Sequence, residues 1–167
     1  MSWPGPNLDH EAKMEMQTMN DPKRVYCASK LFRAKLWRDW KSNLSPRDFT
    51  FVSTWHDNEN VEKDEQDYMK CYEGWTKNIH QILDADHMVV FANDGDRLNG
   101  TLVEIGIALS HHVEVHLCGS FQWGTWRFQD VVAPPWKSLY HAFNDIYGKA
   151  KGPLYVPTNK ELLHDPS

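Results

Sequence analysis

The chain has few of the features that mark secreted, membrane-spanning or metal-dependent proteins. Its three cysteines are far apart and form no Cys-x-x-Cys pair, which gives no support to a disulfide framework or a structural zinc site. No apolar run approaches the roughly 20 residues of a membrane span, and the first residues lack the basic and apolar segments of a secretory signal. We therefore expect a cytoplasmic protein with no membrane partner, no metal and no cofactor.

Positive charge is also scarce, because the net charge is −5 at pH 7. This balance disfavours a nucleic-acid polymer as the partner. The hydrophobic share of 41% and the length of 167 residues are typical of one globular domain. Residues 1–22 combine prolines, methionines and mixed charge with little periodicity, so we predict a mobile N-terminal extension followed by a single domain over residues 23–167.

Strand and helix patterns alternate along this domain. The predicted strands cover residues 24–29, 49–55, 88–92, 113–118 and 154–156, and the predicted helices cover 31–44, 68–83, 100–110 and 136–147. This alternation predicts an α/β fold, a flavodoxin-like (Rossmann-like) parallel sheet of about five strands flanked by helices. Ligands of such sheets bind at the carboxyl ends of the strands, which here carry Ser29, Trp55 and the loop 93–96.

Glu104 is the only charged residue in the predicted helix over residues 100–110. Such an apolar helix is buried, and an ionised carboxylate in dry surroundings costs on the order of several kcal/mol, so we expect Glu104 to lie in a cleft. Asn99 is a favourable N-cap, and the helix macrodipole favours negative charge there, which predicts an ionised, nucleophilic Glu104. The alternative is a structural carboxylate that pairs with an arginine such as Arg97.

Two segments carry a resemblance to a known family. Residues 100–109, Gly-Thr-Leu-Val-Glu-Ile-Gly-Ile-Ala-Leu, and residues 26–32, Tyr-Cys-Ala-Ser-Lys-Leu-Phe, resemble the nucleoside 2-deoxyribosyltransferase family and its relatives that hydrolyse nucleotide N-glycosidic bonds. The resemblance covers roughly residues 24–118. It implies that Glu104 attacks the anomeric carbon, that Tyr26 steadies this nucleophile and that Phe32 stacks on the base.

The chain departs from the family's pattern at two positions. It has Asn78 and Leu98 where the family usually has aspartate, so another group would have to protonate the leaving base. Asp96 and Asp94 lie on the loop before the helix and are the candidates for this acid. The alternative is that both aspartates only form a turn, as the sequence Asn-Asp-Gly-Asp would in any case.

The turn after the first strand is expected to bind a 5′-phosphate. Ser29 stands at a helix start, where backbone N–H groups bind anions, and Lys30 and Arg33 add positive charge. The alternative is that both cations are solvated on the helix surface. The remaining predicted substrate-binding residues are Trp55, Asp57, Asn78, Asn99 and Gly100.

The resemblance implies cleavage of the N-glycosidic bond of a nucleoside or deoxynucleoside 5′-monophosphate, through a glutamate nucleophile and a glycosyl-enzyme intermediate. Three alternatives stay open: a nucleoside 2-deoxyribosyltransferase, an NAD-type glycohydrolase, and a nucleotide-binding module without catalysis. The family completes its sites across subunits and residues 119–135 are rich in aromatics, so we expect a homodimer or a larger homo-oligomer.

Overall fold

The computed structural model describes residues 21–64, 66–93, 95–119 and 136–148. Four strands form one parallel sheet, β1 (Lys23–Ala28), β2 (Phe49–Phe51), β3 (His87–Phe91) and β4 (Glu114–Cys118), in the order β2-β1-β3-β4. The helices are α1 (Ala34–Asn43), α2 (Val61–Asp64), α3 (Tyr68–Leu83), α4 (Asn99–Ser110) and α5 (Leu139–Tyr147). The predicted parallel α/β fold is therefore confirmed with four strands, and the predicted strand at 154–156 lies outside the described residues.

Alternate residues of the strands point to two hydrophobic cores, one on each face of the sheet. On one face, Val25 and Val89 pack with buried aromatic side chains of α1 and α5, among them Trp37 and Phe143. On the other face, Met88 and Val90 pack with Ile82 of α3 and with the apolar side of α4. Helices cover both faces, as in parallel sheets generally. None of the helices in the described ranges is long and apolar enough to cross a membrane.

The second strand is shorter than predicted, because it ends at Phe51 and residues 55–57 form a 3₁₀ turn. Side chains form hydrogen bonds with the backbone groups of β1 that a longer β2 would have paired with. The Cys27 N–H donates to Ser53 Oγ at 3.0 Å, and the Cys27 carbonyl accepts from Trp55 Nε1 at 2.7 Å. Trp55 therefore lies in this 3₁₀ turn at the edge of the sheet and is not the last residue of β2.

Two predicted helices begin later than expected. The segment predicted as one helix over 31–44 starts with a 3₁₀ turn at Leu31–Arg33, and the regular helix begins at Ala34. The last described helix begins at Leu139 rather than at Trp136, since the Trp136 N–H donates to the Leu117 carbonyl at 2.7 Å and Trp136 forms a β-bridge with β4. The helix α3 has the predicted bounds, with Asp67 accepting from the backbone N–H groups at its start.

Candidate active site

A cavity of about 750 Å³ opens at the carboxyl ends of β1 and β2. Its walls are the turn after β1, the residues after β2, the helix α2, one side of α3 and the first residues of α4. Seven of the predicted site residues line it, namely Ser29, Lys30, Phe32, Trp55, Asn78, Gly100 and Glu104. The structure thus brings these residues together at the end of the sheet where parallel α/β folds bind ligands.

Glu104 is the centre of the polar contacts in this cavity. The hydroxyl of Tyr26, a fully buried residue of β1, donates to Glu104 Oε1 at 2.6 Å. The amide of Asn78, on α3, donates to the same oxygen at 3.4 Å. The described residues make no hydrogen bond to Oε2, and they provide no lysine or arginine partner within salt-bridge distance of Glu104. One carboxylate oxygen is therefore held by two neutral donors while the other is available to a ligand.

Burial has a larger effect on Glu104 than these hydrogen bonds. Loss of hydration raises the pKa of Glu104 to about 7, although the bonds from Tyr26 and Asn78 act in the opposite direction. Burial also raises the pKa of Tyr26 well above its ordinary value, and the neighbouring charge of Glu104 adds to this effect. Tyr26 is therefore a protonated donor at neutral pH, and the pKa of Glu104 lies near neutrality.

The expectation that Asn99 caps the helix and keeps Glu104 ionised is wrong. Asn99 is the first residue of α4, it is exposed, and Leu98 occupies the N-cap position without a side-chain hydrogen bond to the helix. Glu104 lies more than one turn into the helix, beyond the reach of most of the macrodipole effect. Desolvation therefore dominates over the helix terminus, and Asn99 does not line the cavity.

Arg33 and Asp96 form an ion pair with each other and do not line the cavity. Arg33 Nη1 lies 2.6 Å from Asp96 Oδ2, and only 8% and 11% of the two side chains are exposed. The same aspartate oxygen accepts the backbone N–H of Asn93 at 2.8 Å, and the guanidinium packs over the rings of Phe32 and Phe91. Neither residue lines the cavity. The structure therefore gives no support to Arg33 as a phosphate ligand or to Asp96 as the acid for the leaving base.

Two further predicted residues do not join the site. Asp57 is exposed and pairs with Lys41 at 2.9 Å, because the 3₁₀ turn directs it away from the cavity wall. Asp94 lies outside the described residues. Trp55, by contrast, is fixed at the cavity wall by its bond to β1, and 62% of Phe32 is exposed, so both rings are accessible for stacking on a planar ligand.

Three cavity residues were missed as ligand-binding groups by sequence reasoning, Trp75, Lys77 and Arg97. Trp75 is three residues before Asn78 on α3, and this helical spacing could have identified it. A Cβ at Gly100 would lie 3.4 Å from the Trp75 ring, an ordinary van der Waals contact, so α4 begins next to Trp75 of α3. Lys77 and Arg97 are exposed and form no ion pair with the described carboxylates.

Comparison of the chain with protein-family models, with curated proteins and with solved structures finds no match. Function is therefore inferred from the geometry of Glu104 and its surroundings.

Proposed function

We propose that this protein cleaves the N-glycosidic bond of a nucleoside 5′-monophosphate, with Glu104 as the nucleophile. The observation that carries the proposal is the arrangement of Glu104 at the cavity, with Oε1 bonded to the Tyr26 hydroxyl and Oε2 left to a ligand. A carboxylate with 8% exposure and no described cation as its partner lowers stability whenever it ionises. A carboxyl group whose pKa is raised by burial and that lies at a cavity is a candidate for a functional group.

The reaction follows from the two oxygens of this carboxylate. Ionised Oε2 attacks C1′ of the sugar, the new C–O bond forms as the C1′–N bond breaks, and the base leaves with the electron pair of that bond and takes a proton from solvent. The Tyr26 hydroxyl stays on Oε1 and orients the carboxylate. Water then attacks C1′ of the glycosyl-enzyme ester, which releases the sugar phosphate and regenerates Glu104. With a second base in place of water the same intermediate gives transfer.

Cations at the cavity wall support a monophosphate as the substrate. Lys30 is two residues after the end of β1, and Arg97 precedes α4, so both lie at the carboxyl edge of the sheet. In the described part of the chain no carboxylate forms an ion pair with either one. Arg33 is engaged by Asp96, and we therefore assign its expected phosphate contact to Arg97. The rings of Phe32, Trp55 and Trp75 are at the same cavity and are suited to a base.

The deciding experiment measures release of free base by chromatography from a panel of nucleosides, their 5′-monophosphates and NAD. Wild type is expected to cleave at least one monophosphate, and Glu104→Gln and Glu104→Ala are expected to cleave none. Glu73→Gln is the matched control, since Glu73 is an exposed carboxylate at the same cavity. Retained turnover in either Glu104 variant would refute the nucleophile assignment. Cleavage of NAD alone, or binding without base release, would favour the corresponding alternative.

A second experiment tests the phosphate contact separately. A charge-assisted contact contributes about 1.5 to 3 kcal/mol, so Lys30→Ala and Arg97→Ala are expected to lower kcat/KM for a monophosphate by roughly ten- to a hundredfold. Turnover of the matching nucleoside is expected to change far less. Lys63→Ala, an exposed cation outside the cavity, is the control. Equal losses on both substrates would exclude the phosphate role and favour a transferase of free nucleosides.

The assembly and the compartment are part of the same proposal. Large apolar side chains are exposed on the neighbouring helices α3 and α4, including Tyr68, Tyr72 and Val103 at 80%, 61% and 54%. Such a surface supports a homodimer, and a monomer by light scattering at working concentration would reject it. Cys27 and Cys118 are buried free thiols, which supports the reducing cytoplasm. Recovery of the protein outside the cytosolic fraction of cells would exclude that compartment.

A further inference from the structure

A cluster of two histidines and one glutamate lies at the amino-terminal end of the sheet. His87 is the first residue of β3 and Glu114 is the first residue of β4, and the parallel register places them side by side. His116 is two residues further along β4 and therefore faces the same side of the sheet as Glu114. The cavity lies at the opposite, carboxyl edge of the sheet, where β1 and β2 end.

The distances in the cluster match those between ligands of one metal ion. His87 Nδ1 lies 3.2 Å from His116 Nε2 and 3.2 Å from Glu114 Oε2, and His116 Nε2 lies 3.5 Å from Glu114 Oε1. Ligands at about 2.0 to 2.1 Å from a tetrahedral Zn²⁺ are about 3.3 Å from one another. The separation between the two ring nitrogens therefore agrees with two corners of a tetrahedron. The Glu114 carboxylate has an oxygen near each of these nitrogens and is close enough to supply the third corner, and a fourth corner is left for water or another ligand.

The surroundings of the cluster also suit a cation. Asp145 Oδ2, on α5, lies 4.0 Å from His116 Nδ1, the ring nitrogen that faces away from Glu114. This distance is too long for a hydrogen bond, but the negative charge of Asp145 favours a cation nearby. Asp145 belongs to the last turn of α5, where the helix dipole favours positive charge. The charged groups that act on the two imidazoles are Glu114, Asp86, Asp145 and Lys23, with carboxylates in the majority.

We propose that His87 Nδ1, His116 Nε2 and the Glu114 carboxylate bind one divalent transition-metal ion, for which Zn²⁺ is the reference. Two imidazoles and a carboxylate are a ligand set that suits Zn²⁺. The ion would join β3 to β4 at the end of the sheet opposite the cavity, so this site does not depend on the proposed glycosidase activity. The competing explanation is a hydrogen bond between two histidines beside a surface glutamate.

Residue spacing along the chain does not identify this site. The proposal replaces the expectation from the sequence that the protein binds no metal. His112 and His116 have the spacing that brings two ligands together on a helix, yet His112 precedes β4 and is exposed. The residues that meet are His116 and Glu114, two apart on a strand, together with His87 from the neighbouring strand. The register of β3 and β4 is the information that the sequence pattern lacked.

The test is titration of chelator-treated, desalted protein with Zn²⁺ by calorimetry, and with Co²⁺ as a spectroscopic probe of tetrahedral coordination. Wild type is expected to bind one ion per chain. His87→Gln, His116→Gln and Glu114→Gln are each expected to weaken binding at least tenfold. Glu114 is 62% exposed, so its substitution is compatible with the fold even where a histidine variant does not fold. The double variant His111→Gln, His112→Gln alters two exposed histidines nearby and is expected to bind as wild type does.

Two results would overturn the site. One is equal Zn²⁺ affinity in wild type and Glu114→Gln, and the other is loss of binding in the double variant of His111 and His112. A thermal melt gives an independent readout, because Zn²⁺ at a hundred times its Kd stabilises the folded state by about 2.7 kcal/mol. The melting temperature is expected to rise with Zn²⁺ in wild type and to rise clearly less in Glu114→Gln at the same Zn²⁺ concentration.

Discussion

Replacing Glu104 with glutamine is expected to stabilise the protein at neutral pH and above, while it removes the proposed nucleophile. Burial raises the pKa of Glu104 from 4.5 to about 7, so the folded chain holds this proton more tightly than the unfolded chain. The stability that Glu104 contributes is fully present below pH 4.5 and is lost as the pH rises through about 7. At about 1.4 kcal/mol per pH unit, the loss amounts to about 3 kcal/mol.

The measurement is urea unfolding of wild type and Glu104→Gln at several pH values between 4.5 and 8, at constant ionic strength. Glutamine keeps an oxygen that can accept the Tyr26 hydrogen bond and carries no charge at any pH. The advantage of the variant is expected to grow by about 3 kcal/mol over this range, because any effect of the substitution that does not depend on pH cancels in the comparison. Glu59→Gln, at an exposed position, is the control and is expected to show no such trend. A constant difference between wild type and Glu104→Gln would refute the burial argument.

The remaining predictions concern the neighbours of Glu104 and the buried ion pair. With Glu104 acting as an ionised nucleophile, kcat/KM is expected to rise with pH and to level off above about 7; a profile that falls over the same range would contradict this. Tyr26→Phe removes the donor to Oε1, so kcat is expected to fall roughly ten- to a hundredfold, and the inflection of the pH profile of kcat/KM is expected to move to higher pH. An unchanged pH profile would show that Tyr26 does not affect the ionisation of Glu104. Asp96→Asn leaves Arg33 buried without its counter-charge, which is expected to lower the free energy of unfolding by about 3 to 5 kcal/mol in urea titrations. If the double variant Arg33→Met, Asp96→Leu recovers most of the lost free energy of unfolding, the pair is structural. If Asp96→Asn lowers the free energy of unfolding by less than about 1 kcal/mol, as the loss of an exposed pair would, the prediction is wrong.

Features that depend on local pattern were predictable from the sequence. Apolar residues at helical spacing located α3, and the alternation of strands with helices predicted a parallel sheet covered on both faces. The single charge in the apolar helix α4 likewise predicted that Glu104 lies buried at a cleft, and the structure has it at the cavity wall. In each case one side of a helix or strand is buried, and this burial produces a periodic pattern of apolar residues in the sequence.

Features that depend on contacts between distant residues were not predictable. Arg33 and Asp96 are 63 residues apart, and each has a reasonable role in a phosphate or base site until their pairing is known. The ionisation of Glu104 is a similar case, since desolvation by the surrounding fold dominates over the local helix terminus that the sequence suggested. The cluster of His87 and His116 follows from strand register, which no short motif records.

The bond between Tyr26 and Glu104 also links the proposed site to the order of folding. The two residues are separated by 78 positions in the chain, and β1 pairs with β3, a partner about 60 residues away, next to which α4 packs. Closing loops of this length is entropically unfavourable, so parallel pairings of this kind form slowly. On the ribosome, β1 emerges long before its central neighbour is synthesised and has only β2 to pair with. Recovery of activity during refolding would therefore report the final docking step rather than the earlier formation of helices.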